Sequence, residues 1–139
     1  MNAILGLLFL LTPEAPYLAP YLASAGEAPD GANPRYLDCV HLVTKDLEIG
    51  RIAAQQRAVE GGGAPAQHCL AIADLAAGFP RLAAARLVEL SERSDAGDNT
   101  ARARVLAEAA LAWLDAESPE DAETAVTSSR ALAPDLAEL

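Results

Sequence analysis

The chain has 139 residues and a formal net charge of −10, from 20 acidic and 10 basic side chains. This length provides for one small domain with one core. The acidic charge repels phosphate backbones and excludes nucleic acid as an expected partner. Hydrophobic residues make up 52% of the chain and aromatic residues only 4%. Alanine supplies about a quarter of all residues, and it is the strongest helix former, so the composition predicts helices packed on helices.

The segment 1–25 has features of a bacterial export signal. The apolar run 4–11 has the length of a signal-peptide core and is too short for a membrane span, which needs about 20 residues. It is followed by Ala23-Ser24-Ala25, a sequence of the kind that signal peptidase cuts after. We expect a cleaved signal and a periplasmic or secreted protein. The alternative is a disordered or docked arm, because no Lys or Arg precedes the run.

The remaining chain divides into a linker and a helical domain. Residues 26–34 are rich in proline and glycine, which break helices. From residue 35 to residue 139 apolar residues recur at helical spacing, and glycine, proline and short polar runs separate the segments. The pattern predicts six helices over 36–45, 47–60, 65–77, 80–93, 100–116 and 119–132.

Small and apolar residues recur between successive helix pairs. The last pair carries, in order, Leu106, Ala109, Ala110, Trp113, Ala122, Val126 and Pro134. The pair before it carries Leu70, Ala71, Gly78, Ala83 and Leu87, with Asp74 in place of the aromatic residue and Asp95 in place of the proline. One constant offset, which we call the repeat offset, relates the two pairs, since it takes Ala71 to Ala110 and Ala83 to Ala122. The first pair matches only in Gly50 and Ala54. This pattern resembles the tetratricopeptide repeat (TPR). An ordinary six-helix bundle is the alternative.

The resemblance implies a right-handed α–α superhelix of about three antiparallel hairpins. It also implies a non-catalytic adaptor or scaffold, with no cofactor, whose apolar concave groove binds a peptide or protein. Residues 17–22 of the leader are an alternative occupant of that groove. The family's register places these residues in the groove: Arg35, His68, Ile72, Leu75, Arg104, Leu111 and Leu114.

The C-terminal end of the array is expected to be open. Residues 135–139 look like the first turn of a further helix, and repeat arrays need a polar capping element at each end. We therefore expect the last hairpin to expose apolar surface that a partner or a second copy of the chain covers, which makes a homodimer possible.

Two cysteines and two histidines occur as Cys39, His41, His68 and Cys69. Such a set can bind zinc, but helical neighbours one and two residues apart point about 100° and 200° away from each other. We expect no metal site, and a small metal-binding protein using these four residues is the alternative function. First helices of consecutive hairpins pack side by side in TPR arrays, so the resemblance implies a Cys39–Cys69 disulfide; two buried thiols are the alternative. No nucleophile–base motif is present, and no enzymatic activity is expected.

Overall fold

The computed structural model describes residues 33–136, and these form six α-helices and no strand. This confirms the predicted all-helical fold, and every predicted helix end lies within two residues of the observed one. The predicted signal segment and most of the predicted linker lie outside the described residues, as do residues 137–139. The helices are α1 (Pro34–Lys45), α2 (Leu47–Val59), α3 (Gly63–Ala76), α4 (Pro80–Glu92), α5 (Asn99–Asp115) and α6 (Pro119–Leu132).

Short polar side chains and prolines determine where several helices begin. Asn33, Asp46 and Asp98 are N-cap residues, and the side-chain oxygen of each accepts a hydrogen bond from an amide two or three residues later. Asp46 also forms the whole connection between α1 and α2. Proline occupies the first position of three helices, where its missing amide hydrogen costs nothing: Pro34, Pro80 and Pro119.

The α3–α4 and α5–α6 turns share one backbone conformation. Gly78 and Glu117 are related by the repeat offset, and both have positive φ, 85° and 57°. In each turn this residue's amide donates to the carbonyl three residues earlier, and the next amide donates to the carbonyl five residues earlier. Glycine adopts this conformation freely, whereas glutamate is strained in it. The offset read from the sequence therefore also relates the two turns in the structure.

Consecutive helices pack against each other, and α1 also packs against α3. Helices α1 and α2 approach each other closely, because a Cβ added at Gly50 would lie 2.5 Å from the Cα of Val43. The small residue at this position lets the two backbones meet.

The last helix has a polar exposed face. The buried residues of α6 are Ala122, Ala125 and Ser129. Its exposed residues are Pro119, Glu120, Asp121, Glu123, Thr124, Thr127, Ser128, Arg130 and Ala131. This composition is typical of a capping helix, so among the described residues α6 does not offer the apolar surface expected for a second copy.

Candidate functional site

The seven residues predicted to line a groove do not share one open surface. Arg35 is exposed and Arg104 is half-buried. Leu111 and Leu114 on α5 are 42% and 54% exposed. The three residues on α3 are only 0–2% exposed, which differs from the expectation that they face a partner: His68, Ile72 and Leu75.

The reason is that α3 is buried on every side over two turns. All residues from His68 to Leu75 are buried, whereas an amphipathic helix buries only one stripe. Helix α3 packs against α1, α2 and α4, and its apolar residues continue around the helix. The family register assigned one face of α3 to an open groove, but the described structure leaves that face closed.

A chain of three buried polar side chains connects α1, α3 and α5. The hydroxyl of Tyr36 on α1 lies 2.7 Å from Nδ1 of His68 on α3. The Nε2 atom of His68 lies 2.6 Å from a carboxylate oxygen of Glu108 on α5. Exposure of the three residues is 2%, 0% and 6%. We call these residues the Tyr–His–Glu chain.

One arrangement of protons gives every group of this chain a hydrogen-bond partner. Burial, and secondly the charge of Glu108, raise the pKa of the Tyr36 hydroxyl well above its ordinary value. Tyr36 therefore keeps its proton, and its hydroxyl donates a hydrogen bond to Nδ1 of His68. In the tautomer that accepts this bond, the ring proton is on Nε2, from which His68 donates a hydrogen bond to Glu108. Each of the three groups has a partner, as buried polar groups require.

The order of groups resembles a nucleophile, a base and an orienting acid, but the electrostatics favour a structural role. A nucleophile is activated by a lowered pKa or by a base in an accessible site, whereas the pKa of Tyr36 is raised and its side chain is buried. The Tyr–His–Glu chain is therefore better suited to holding α1, α3 and α5 together.

The disulfide implied by the resemblance is present. Cys39 on α1 is bonded to Cys69 on α3, with their Cα atoms 6.3 Å apart. The metal-binding alternative required both thiolates together with His41 and His68. The disulfide uses the thiolates, His41 is exposed, and both ring nitrogens of His68 have partners. No group of three or more potential metal ligands occurs within residues 33–136.

A second buried carboxylate explains a departure from the repeat pattern. Asp74 occupies the position where an aromatic residue is expected, and its side chain is 1% exposed. It accepts hydrogen bonds from Arg51 on α2 at 3.1 Å and from Arg86 on α4 at 2.6 Å. The Arg51 guanidinium also lies 4.9 Å from the ring centre of Phe79. Two arginines thus compensate the buried charge and connect three helices.

Sequence reasoning missed the roles of both buried acids. Glu108 lies within the run Leu-Ala-Glu-Ala-Ala, and Asp74 lies within Ala-Ile-Ala-Asp-Leu-Ala. A lone charged residue in a helix that is apolar on all sides is the signal that was available, because such a residue is seldom buried without a partner.

The exposed leucines of α5 lie near an apolar cleft. The cleft has a volume of about 380 Å³ and is lined by Leu75, Gly78, Pro80 and Asp115. Leu111 lies one helical turn before Asp115, and Leu114 lies three residues after Leu111, so the three residues share one side of α5. Of the residues predicted to bind a partner, these two leucines are the apolar ones that the structure leaves open.

Comparisons with protein-family models, characterised proteins and solved structures gave no match to this chain. Among residues 33–136, no helix has both the length and the hydropathy needed to cross a membrane.

Proposed function

We propose that this chain is a non-catalytic adaptor that binds a protein or peptide partner on a TPR-like stack of three helical hairpins. Two features support this architecture. Each helix packs against the next, through connections that range from the single residue 46 to the six residues 93–98. The α3–α4 and α5–α6 turns also repeat their hydrogen bonds at the repeat offset. A right-handed superhelix is the arrangement that such repeated hairpins produce.

The observation that carries the proposal is the surface formed by Leu111, Leu114 and the adjacent cleft. Both leucines project from the first helix of the last hairpin, and Leu75 contributes an apolar wall to the cleft. An amphipathic helix or an extended apolar peptide binds to such a surface by inserting one or two side chains. Because both leucines are already about half-buried, complete burial of each contributes about 0.7–1.5 kcal/mol, roughly half the value for a fully exposed side chain.

We further propose that the protein works outside the cytosol. The Cys39–Cys69 disulfide fits an oxidising compartment. The predicted signal at residues 1–25 would direct export of the chain to the periplasm or the medium and would be removed from the mature protein. N-terminal sequencing of the protein from its native host tests this directly.

Site-specific photocrosslinking identifies the binding surface. A photoreactive amino acid at position 111 is expected to form a crosslink to one discrete partner in the native host. The matched control is position 37, because Leu37 on α1 has a similar exposure of 47% but lies on another helix. The same crosslink from position 37 and none from position 111 would contradict the proposed surface.

The affinity for the crosslinked partner then measures how much the two leucines contribute to binding. The double variant Leu111→Ser, Leu114→Ser is expected to bind about 10–100-fold more weakly by isothermal titration calorimetry, since two apolar contacts are lost. Leu37→Ser is expected to bind as the wild type does. Equal affinity of the double variant and the wild type would refute the role of these leucines.

A further inference from the structure

The described residues contain two separate apolar cores that share α3. The N-terminal core consists of Tyr36, Cys39, Val40 and Val43 of α1, Ala54 of α2, and Cys69, Leu70, Ile72 and Ala73 of α3. The C-terminal core is built from α3, α4, α5 and α6 and includes Leu75, Leu87, Leu90 and Val105. The α1–α2 hairpin thus contributes to only one of the two cores.

The α1–α2 hairpin has few noncovalent ties to the rest of the molecule. Beyond its internal packing, its extensive contacts among the described residues are with α3 alone. Helix α2 buries only Gly50 and Ala54. Three further contacts add to this packing, the Tyr36–His68 hydrogen bond, the Arg51–Asp74 ion pair and the cation–π contact of Arg51 with Phe79. The disulfide is the covalent link between this hairpin and α3.

The helices α3 to α6 have attachments that do not involve the first hairpin. Asp74 remains paired with Arg86 of α4, and Glu108 of α5 remains hydrogen-bonded to His68. Asp95 in the α4–α5 connection accepts a hydrogen bond of 3.0 Å from the amide of Ala64 at the start of α3. These interactions, with the C-terminal core, hold α3 in place without α1 and α2.

The disulfide borders an open cleft. This cleft has a volume of about 430 Å³, and its lining includes Cys39, Tyr36, Arg35, Arg57 and Pro65. Both cysteines are buried, with exposures of 2% and 0%, and only Cys39 contributes to the lining of the cleft. A thiolate that enters the cleft therefore approaches Cys39 before Cys69, and the two arginines in the lining outnumber its one acid, Glu60, so the cleft attracts negative charge.

We propose that the Cys39–Cys69 disulfide is a redox latch. A dithiol reduces it, and the α1–α2 hairpin then detaches from α3 while α3 to α6 stay folded. One thiolate of the dithiol attacks Sγ of Cys39, and Cys69 leaves as a thiolate that takes up a proton. The second thiol of the dithiol then displaces Cys39, so that two electrons and two protons pass to the cysteines and the dithiol becomes a disulfide.

The expected size of the effect follows from loop closure. The disulfide joins cysteines 30 residues apart, and a crosslink over such a loop shifts an opening equilibrium by about two to three orders of magnitude. Detachment exposes apolar residues of α3, Leu70 and Ile72 among them. The latch concerns α1 to α3 and does not depend on the leucine surface of α5.

Hydrogen–deuterium exchange on the full chain tests the latch. Reduction by dithiothreitol is expected to speed amide exchange in residues 34–59 at least tenfold and to leave residues 80–132 protected. The variant Cys39→Ala, Cys69→Ala is expected to show the same pattern without reductant and no further change when reductant is added. Unchanged exchange in 34–59 after reduction overturns the proposal, and so does loss of protection throughout 80–132.

The route of reduction has its own test. Oxidised protein is treated with one equivalent of glutathione, alkylated and digested. The glutathione adduct is expected on Cys39, which lines the cleft. An adduct on Cys69 alone would overturn entry through this cleft.

Discussion

Replacing Gly50 by alanine is expected to destabilise the protein by about 2 kcal/mol, the net of overpacking and helix propensity. The added Cβ would lie 2.5 and 2.6 Å from the Cα and amide nitrogen of Val43 and 2.9 Å from the carbonyl carbon of Leu42. Carbon atoms normally pack about 3.5–4.0 Å apart, so α1 and α2 must separate by about 1 Å. Overpacking of this kind costs about 1–3 kcal/mol, and the upper value applies because all three atoms belong to the backbone and cannot rotate away.

Helix propensity acts in the opposite direction and is smaller. Alanine in a helix interior is more favourable than glycine by about 1 kcal/mol, which leaves the net loss given above for the variant. Urea denaturation followed by circular dichroism measures it. Gln55→Ala is the control, because Gln55 is exposed on the same helix and the change is expected to alter stability by less than 0.5 kcal/mol, roughly the range of surface substitutions. A Gly50→Ala variant as stable as the wild type would refute the close approach of α1 and α2.

Three further predictions concern polar contacts and one strained residue. Tyr36→Phe leaves Nδ1 of His68 without its hydrogen-bond partner in the interior and is expected to lower the free energy of unfolding by about 1–3 kcal/mol in urea denaturation. The control Thr44→Val removes an exposed hydrogen bond and should change the stability little. Equal stabilities of Tyr36→Phe and the wild type would contradict the Tyr–His–Glu chain. The hydrogen bond from Arg93 lowers the pKa of Asp95 below its ordinary value of 3.8. Because the pKa of Asp95 is lower in the folded state, the stabilisation is present above pH 3.8 and is lost as the pH falls through the folded pKa. The difference in stability between the wild type and Asp95→Asn should therefore narrow in that pH range in thermal melts. A difference that does not change with pH would contradict a stabilising Arg93–Asp95 pair. Since φ is positive at both positions, Glu117→Gly is expected to raise the stability by about 0.5–1 kcal/mol, and Gly78→Ala is expected to lower it by about 1–2 kcal/mol. A loss of stability in Glu117→Gly would show that the turn at Glu117 is not strained.

The helix boundaries were predictable because local chemistry determines them. Asp46, Gly78 and Pro119 act within a few residues of their own position, through a cap, a left-handed turn and a fixed φ. The same holds for the repeat offset, which the sequence and the two turns share. The Cys39–Cys69 pairing was predictable once the first helices of consecutive hairpins were expected to be neighbours.

The burial of α3 was not predictable from these signals. Whether His68 faces a groove or the interior depends on how closely α1 and α5 approach α3, and no local pattern encodes that distance. The partners of His68 lie 32 and 40 residues away along the chain. Glu108 and Asp74 gave only the general signal of a charge within an apolar helix, which indicates a buried partner without naming it.

The Tyr–His–Glu chain has a consequence for how this protein is divided into fragments. Its members come from α1, α3 and α5, so a fragment that lacks either the first or the third hairpin leaves one ring nitrogen of His68 unpaired. The loss of one such hydrogen bond costs about 0.5–1.5 kcal/mol, which counts against the roughly 5–15 kcal/mol by which small domains are typically stable. Domain borders chosen between hairpins will therefore yield weakened fragments, and expression of the three hairpins together is the smallest unit that keeps this interior polar set complete.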